Sequence, residues 1–133
     1  NLRQRGLANV DLSKVIITCA KSKWFHWSSG KINKAKSGLF STDSRMFKGS
    51  NWLPNTTRGT NDYSNCSHAI YLYEQNANPI LLNWLDANNA EFRSAYALTE
   101  VVQWLWRTRL RRGEPVKVYM PSKKMRELIQ AWL

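Results

Sequence analysis

Val15-Ile16-Ile17-Thr18-Cys19 is a short run of β-branched and apolar residues. Such a run, bounded by polar sequence, reads as a buried strand. Two more runs share its character, Ala69–Tyr73 and the alternating Val116–Met120. Helix signals lie between and after them. Asn78 is a capping residue and Pro79 suits the first helical turn, with Ile80, Leu81, Trp84 and Leu85 as an apolar face and Asn88-Asn89 as the end. A longer helix is expected from about Ser94 to Arg112, stopped by Gly113 and barred from continuing by Pro115. Pro121-Ser122 opens a last helix running to Leu133, with Met125, Leu128, Ile129 and Trp132 on one face. Strands alternating with helices predict an α/β layered domain with a mainly parallel sheet.

The chain has 133 residues and 43% hydrophobic content, which suits one folded domain. Its net charge of +11 points to a polyanionic partner. The charge is uneven. Residues 1–50 carry net +8, residues 51–100 net −3 and residues 101–133 net +6. The stretch 20–50 is a basic insert in which Trp24, Phe25, Trp27 and Phe40 interleave with Lys21, Lys23, Lys31, Lys34, Lys36, Arg45 and Lys48. Lysines that track phosphates beside rings that stack on bases suit single-stranded nucleic acid. A solvated loop is the alternative for this stretch. No run approaches the length of a membrane span, and the first residues lack the apolar core of a signal peptide. The missing initiator Met hints at processing or an excised fragment. Two cysteines, Cys19 and Cys66, make no disulfide framework and fit a reducing cytoplasm, here that of a bacterial host. With His26 and His68 added, no zinc spacing emerges, so no metal is expected.

The densest functional signal is Gln103-Trp104-Leu105-Trp106-Arg107-Thr108-Arg109-Leu110-Arg111. On one continuous helix Gln103, Arg107 and Arg111 step by roughly 40°, forming a narrow stripe. Leu98, Val101, Val102 and Leu105 then fall on the opposite, packing side. Guanidiniums grip oxyanions in a fork, so such a stripe suggests a phosphate site. Pairing of Arg107 and Arg111 with Glu100 or Glu114 on a solvated helix is the plain alternative. Trp104 and Trp106 read as packing residues before base-stackers.

Three blocks carry a resemblance. Thr57-Arg58-Gly59-Thr60-Asn61-Asp62-Tyr63 precedes the second strand run. Ala97-Leu98-Thr99-Glu100 leads into Gln103–Arg107. Val118 to Arg126 follows. Together they resemble the second RecA-like lobe of superfamily 2 helicases of the DEAD/DEAH-box type found in phages and plasmids, over roughly residues 52–133. The resemblance implies a three-layer RecA-like half domain. It likens Arg58–Tyr63 to motif V and Gln103–Arg107 to motif VI. It implies Gln103, Arg107 and Arg111 in a catalytic, arginine-finger role. Gly59, Thr60, Asn61 and Asp62 would couple nucleotide to nucleic acid. Lys21, Lys23, Trp24, Trp27, Lys31, Lys34, Lys36, Arg45, Lys48 and Arg58 would contact nucleic acid, DNA rather than RNA. The usual second motif-VI arginine falls at Leu110, and helix geometry favours Arg111 as its substitute.

A helicase motor also needs a phosphate loop and an acidic metal-binding pair. Ser28-Ser29-Gly30-Lys31 has neither the preceding Gly nor the following Ser/Thr, and no Asp-Glu pair exists. The isolated chain is therefore expected to bind no ATP or Mg²⁺. Those would enter only with a first lobe, supplied in the same longer chain or in trans. Two alternatives stand beside this: a non-enzymatic basic DNA/RNA-binding protein of viral type, and an interaction module that blocks a host motor.

Overall fold

The computed structural model describes residues 6–28, 31–33, 47 and 49–133; for 26–28 and 31–33 the backbone alone is described. Four strands form one sheet: β1 (Val15–Thr18), β4 (Asn51–Trp52), β5 (His68–Tyr71) and β6 (Lys117–Tyr119). Their order is β4-β1-β5-β6, and every pair is parallel. A short antiparallel hairpin, β2 (His26–Ser28) with β3 (Lys31–Asn33), stands apart within the basic insert. The helices are α1 (Lys21–Trp24), α2 (Pro79–Trp84), α3 (Ala90–Leu105) and α4 (Lys123–Trp132).

All four residues of β1 are buried. A strand covered on both faces has no use for polar alternation, which is why Val15–Thr18 is a continuous run. Two apolar clusters account for the two faces. Ile16, Ala69 and Tyr71 pack under α3 and α4 with Val101, Trp104, Leu105 and Met125. Val15, Ile17 and Ile70 pack on the other side with Leu7, Trp24 and Phe47. The result is three layers around an all-parallel sheet, as the strand–helix alternation predicts. At the centre, the Trp104 indole is wholly buried, packs edge-on to Tyr71 at 5.3 Å, and donates from Nε1 to the Leu53 carbonyl at 3.1 Å.

The two N-caps behave as read: Asn78 accepts from the Ile80 amide, and Ser122 from the Met125 amide. Gly113 sits at φ +75°, the left-handed conformation that suits glycine, but it closes a separate 3-10 turn at Arg109–Arg112 rather than the long helix.

Three expectations are corrected. The long helix does not run to Arg112; it ends at Leu105. The reason is Thr108, which is buried: its hydroxyl donates to the Leu105 carbonyl at 2.6 Å and accepts from the Leu110 amide at 3.3 Å. A threonine that satisfies backbone groups locally competes with the helical ladder. α2 does not reach Asn88 but ends at Trp84; it buries Leu82 and leaves Ile80 and Trp84 in solvent. Trp24, expected among the nucleic-acid contacts, is buried in the second cluster, so its ring packs against the protein.

Candidate functional site

Two regions at opposite edges of the sheet carry the chemistry. The first lies at the carboxyl edge. In open parallel sheets ligands bind where strand order reverses, outside the carboxyl ends of the strands. Here the chain leaves β1 for β4 on one side and then returns to β5 on the other, so β1 and β5 flank that reversal. A cavity of about 640 Å³ opens there. It is lined by the residues that follow three strands: Cys19, Ala20 and Lys23 after β1, Leu72, Tyr73 and Glu74 after β5, and Pro121 and Ser122 after β6. The size lies within the usual span for small-molecule sites. The Cys19 thiol is buried, which pushes its pKa up to about 11 despite a contact with Trp52. It is therefore a neutral wall group rather than a nucleophile at ordinary pH. Burial, and then the neighbouring Cys19, also raises the Tyr73 phenol above its usual pKa.

The second region lies at the amino edge and the adjoining flank of α3. The Arg109 amide donates to the Cys66 carbonyl, two residues before β5, which fixes the 3-10 turn at that end. Because the helix stops at Leu105, Gln103, Arg107 and Arg111 do not share one helical stripe. Gln103 is in α3, Arg107 in the following turn and Arg111 in the 3-10 turn.

The Arg58–Asn61 segment nonetheless comes to meet them. Arg58 donates to the Gln103 side-chain oxygen and pairs with the Glu100 carboxylate at 2.7 Å. Arg111 donates to the Asn61 side-chain oxygen. Gly59 sits at φ +71°, so the chain turns sharply between these contacts. Beside it the Thr60 hydroxyl donates to Asp62 at 2.9 Å, closing a local turn. Glu100 is buried, while Arg58 is about half exposed at 52%. A buried carboxylate needs its cation, and here Arg58 supplies it.

The arginines divide into two kinds. Arg109 Nε donates to the Pro115 carbonyl at 2.7 Å, and Arg112 pairs with Glu114 at 2.8 Å and with Asn65 at 2.9 Å. These two hold the turn. Arg107 and Arg111 have no carboxylate partner among the described residues, and the Arg107 Nε is buried with no hydrogen bond. The pairing of Arg107 or Arg111 with Glu100 or Glu114 is thus replaced by Arg58–Glu100 and Arg112–Glu114. His68 stands at the same edge, stacked on Tyr119 at 6.3 Å. Burial, with Lys117 and Arg109 nearby, lowers its pKa.

Among the described residues, Lys23 alone of those expected to bind nucleic acid lines the carboxyl-edge cavity; Lys21 is exposed close by on α1. Lys34, Lys36, Arg45 and Lys48 lie outside the described residues, as do the side chains of Trp27 and Lys31. The cavity itself escapes a reading by motif, since its lining is ordinary apolar sequence. The signal that finds it is topological: Cys19 and Tyr73 each close a strand run and Pro121 follows one.

An all-parallel sheet with helices on its faces and a cavity at the strand reversal defines a Rossmann-like α/β domain. Residues 3–133 match the family model of the YonV C-terminal Rossmann-like domain, and the chain belongs to that family. It is 32% identical over 116 residues to the SPbeta prophage-derived protein YonV of Bacillus subtilis (strain 168), a match that takes in 86% of this chain. The chain spans 27% of that relative's length. No solved structure matches. Among the described residues, no helix is long and apolar enough to cross a membrane.

Proposed function

We propose that this phage-type domain is a non-catalytic nucleic-acid-binding lobe that contacts the phosphate backbone through the arginines at its amino edge. One observation carries the reading. Four arginines crowd into residues 107–112, and among the described residues Arg112 alone of them has a carboxylate partner: Arg109 is held by the Pro115 carbonyl, Arg111 bonds the neutral Asn61, and the buried Arg107 Nε has no hydrogen bond. A guanidinium with no carboxylate, beside others of like charge, is stabilised most by an oxyanion. The net charge of +11 adds a long-range field of the same sign. Position favours polymer phosphate over ATP, because the arginines lie at the edge opposite the one where Rossmann-like sheets take small ligands. The test is binding of a labelled single strand across a salt series. Steep weakening with salt, made shallower by Arg107→Ala and Arg111→Ala, supports the reading. Absence of binding at low salt overturns it and favours an interaction module.

The second reading is a helicase second lobe that completes an ATPase with a first lobe elsewhere. What favours it is the direct bonding of the motif V-like segment to the motif VI-like segment, Arg58 to Gln103 and Asn61 to Arg111. On that reading ATP and Mg²⁺ bind only between two lobes, and Arg107 or Arg111 offsets charge on the transferring phosphoryl group. Addition of a first lobe from a longer relative, followed by ATPase assays of Arg107→Ala and Arg111→Ala, separates the two. Unchanged turnover removes the finger role.

A further inference from the structure

We infer that Trp106 is a base-stacking platform at the arginine edge, which makes that edge a reader of single strands rather than duplexes; this rests on the phosphate-binding reading of the same edge. The two tryptophans of the arginine segment part company in the fold. Trp104 is wholly buried, whereas Trp106 is 46% exposed. The Trp106 amide still donates to the Val102 carbonyl at 2.9 Å. Its side chain therefore leaves the end of α3 on the helical path, roughly 60° from Gln103 and one turn further on. Gln103 receives Arg58, itself half exposed, and Arg107 follows Trp106 directly. Among the described residues no ring or cation stacks on the Trp106 indole, and its N–H makes no hydrogen bond. A large flat apolar surface thus lies open beside the guanidiniums.

Exposure alone does not single this ring out, because Trp84 is 81% exposed. What separates the two is charge. Residues 59–92, which include Trp84, carry the carboxylates Asp62, Glu74, Asp86 and Glu91 and no Lys or Arg, with Arg93 just beyond them bonded to Asn88. Trp106 instead adjoins the four arginines of residues 107–112. A strand whose phosphates are held by guanidiniums can lay an unpaired base on an adjacent free ring. A duplex keeps its base faces stacked inside and offers the ring nothing. A merely apolar contact would instead favour Trp84, the more exposed indole.

The experiment is a fluorescence-anisotropy titration of the 133-residue chain at low salt with a labelled oligothymidylate, an abasic strand of equal length and a duplex. The parent should bind the oligothymidylate about tenfold more tightly than the abasic strand, the contribution of one stacked base. Trp106→Leu, which keeps an apolar side chain and removes the flat ring, should erase that difference. Its affinity for the abasic strand and the duplex should match the parent's, as should its salt slope, because the phosphate contacts remain. Trp106→Phe should restore most of the preference, and Trp84→Ala should change nothing. Equal affinity of the parent for the two strands overturns the platform, as does a loss in Trp106→Leu that the abasic strand or the duplex shares. An equal loss in Trp84→Ala overturns it in favour of unspecific apolar contact. Salt-sensitive binding without preference for bases removes the platform alone, whereas absence of all binding removes the phosphate-binding reading with it.

Discussion

The two edges of this sheet are built in opposite ways. The carboxyl edge is a concavity whose residues are unremarkable one by one; what makes it is the order of the strands. The amino edge is the reverse. Its residues are conspicuous in sequence, but their geometry depends on a helix that stops at Leu105 and on a segment, Arg58–Asn61, more than forty residues upstream. A chemistry-rich motif declares itself by composition and conceals its shape, while a topological site does the opposite.

Substitutions can break this contrast or sharpen it. The largest expected effect is Trp104→Ala. It opens a cavity under β5 and removes the bond to Leu53, so it should cost about 3–5 kcal/mol in denaturant unfolding and degrade both edges together. Arg58→Ala comes next. It leaves the Glu100 carboxylate buried without its cation. Since Arg58 is half exposed, the loss should be about 2 kcal/mol, below that of a fully buried pair. It should shift NMR signals at the arginine edge while those of the carboxyl-edge cavity stay put, because distant regions act independently. Gly59→Ala forces a side chain into left-handed backbone and should cost about 1–2 kcal/mol by the same unfolding measurement.

The smallest effect is on pH. The His68 pKa is lowered in the folded state, so the unfolded chain binds more protons in acid. Stability from this group is full above the unfolded value near about 6.5 and is lost as pH falls toward the folded pKa. A thermal-melt series across that window should show the loss. His68→Phe should flatten it, and the cavity edge should contribute nothing to it.

How far the sequence was legible follows the same division. Val15–Thr18 is readable because a strand covered on both faces needs no polar alternation, and Asn78 and Ser122 are readable because N-caps have local chemistry. Asn51–Trp52 is not. Two residues have no period, and they are a strand only through register with Ile16 and Ile17. The break after Leu105 is not legible, because no Gly or Pro marks it; a buried threonine hydroxyl ends the helix instead. Trp24 reads as a stacking ring because its lysine neighbours are adjacent in sequence and the second apolar cluster is not. The cavity left no trace in any single segment, since Cys19, Tyr73 and Pro121 become neighbours only once the sheet is assembled.

The most direct test of the arginine edge is the slope of log affinity against log salt for a single strand, parent chain against the Arg107→Ala/Arg111→Ala double variant. Each phosphate contact on a single strand contributes roughly 0.7 to that slope. Loss of both should flatten it by about 1.4. Superimposable lines would contradict the account.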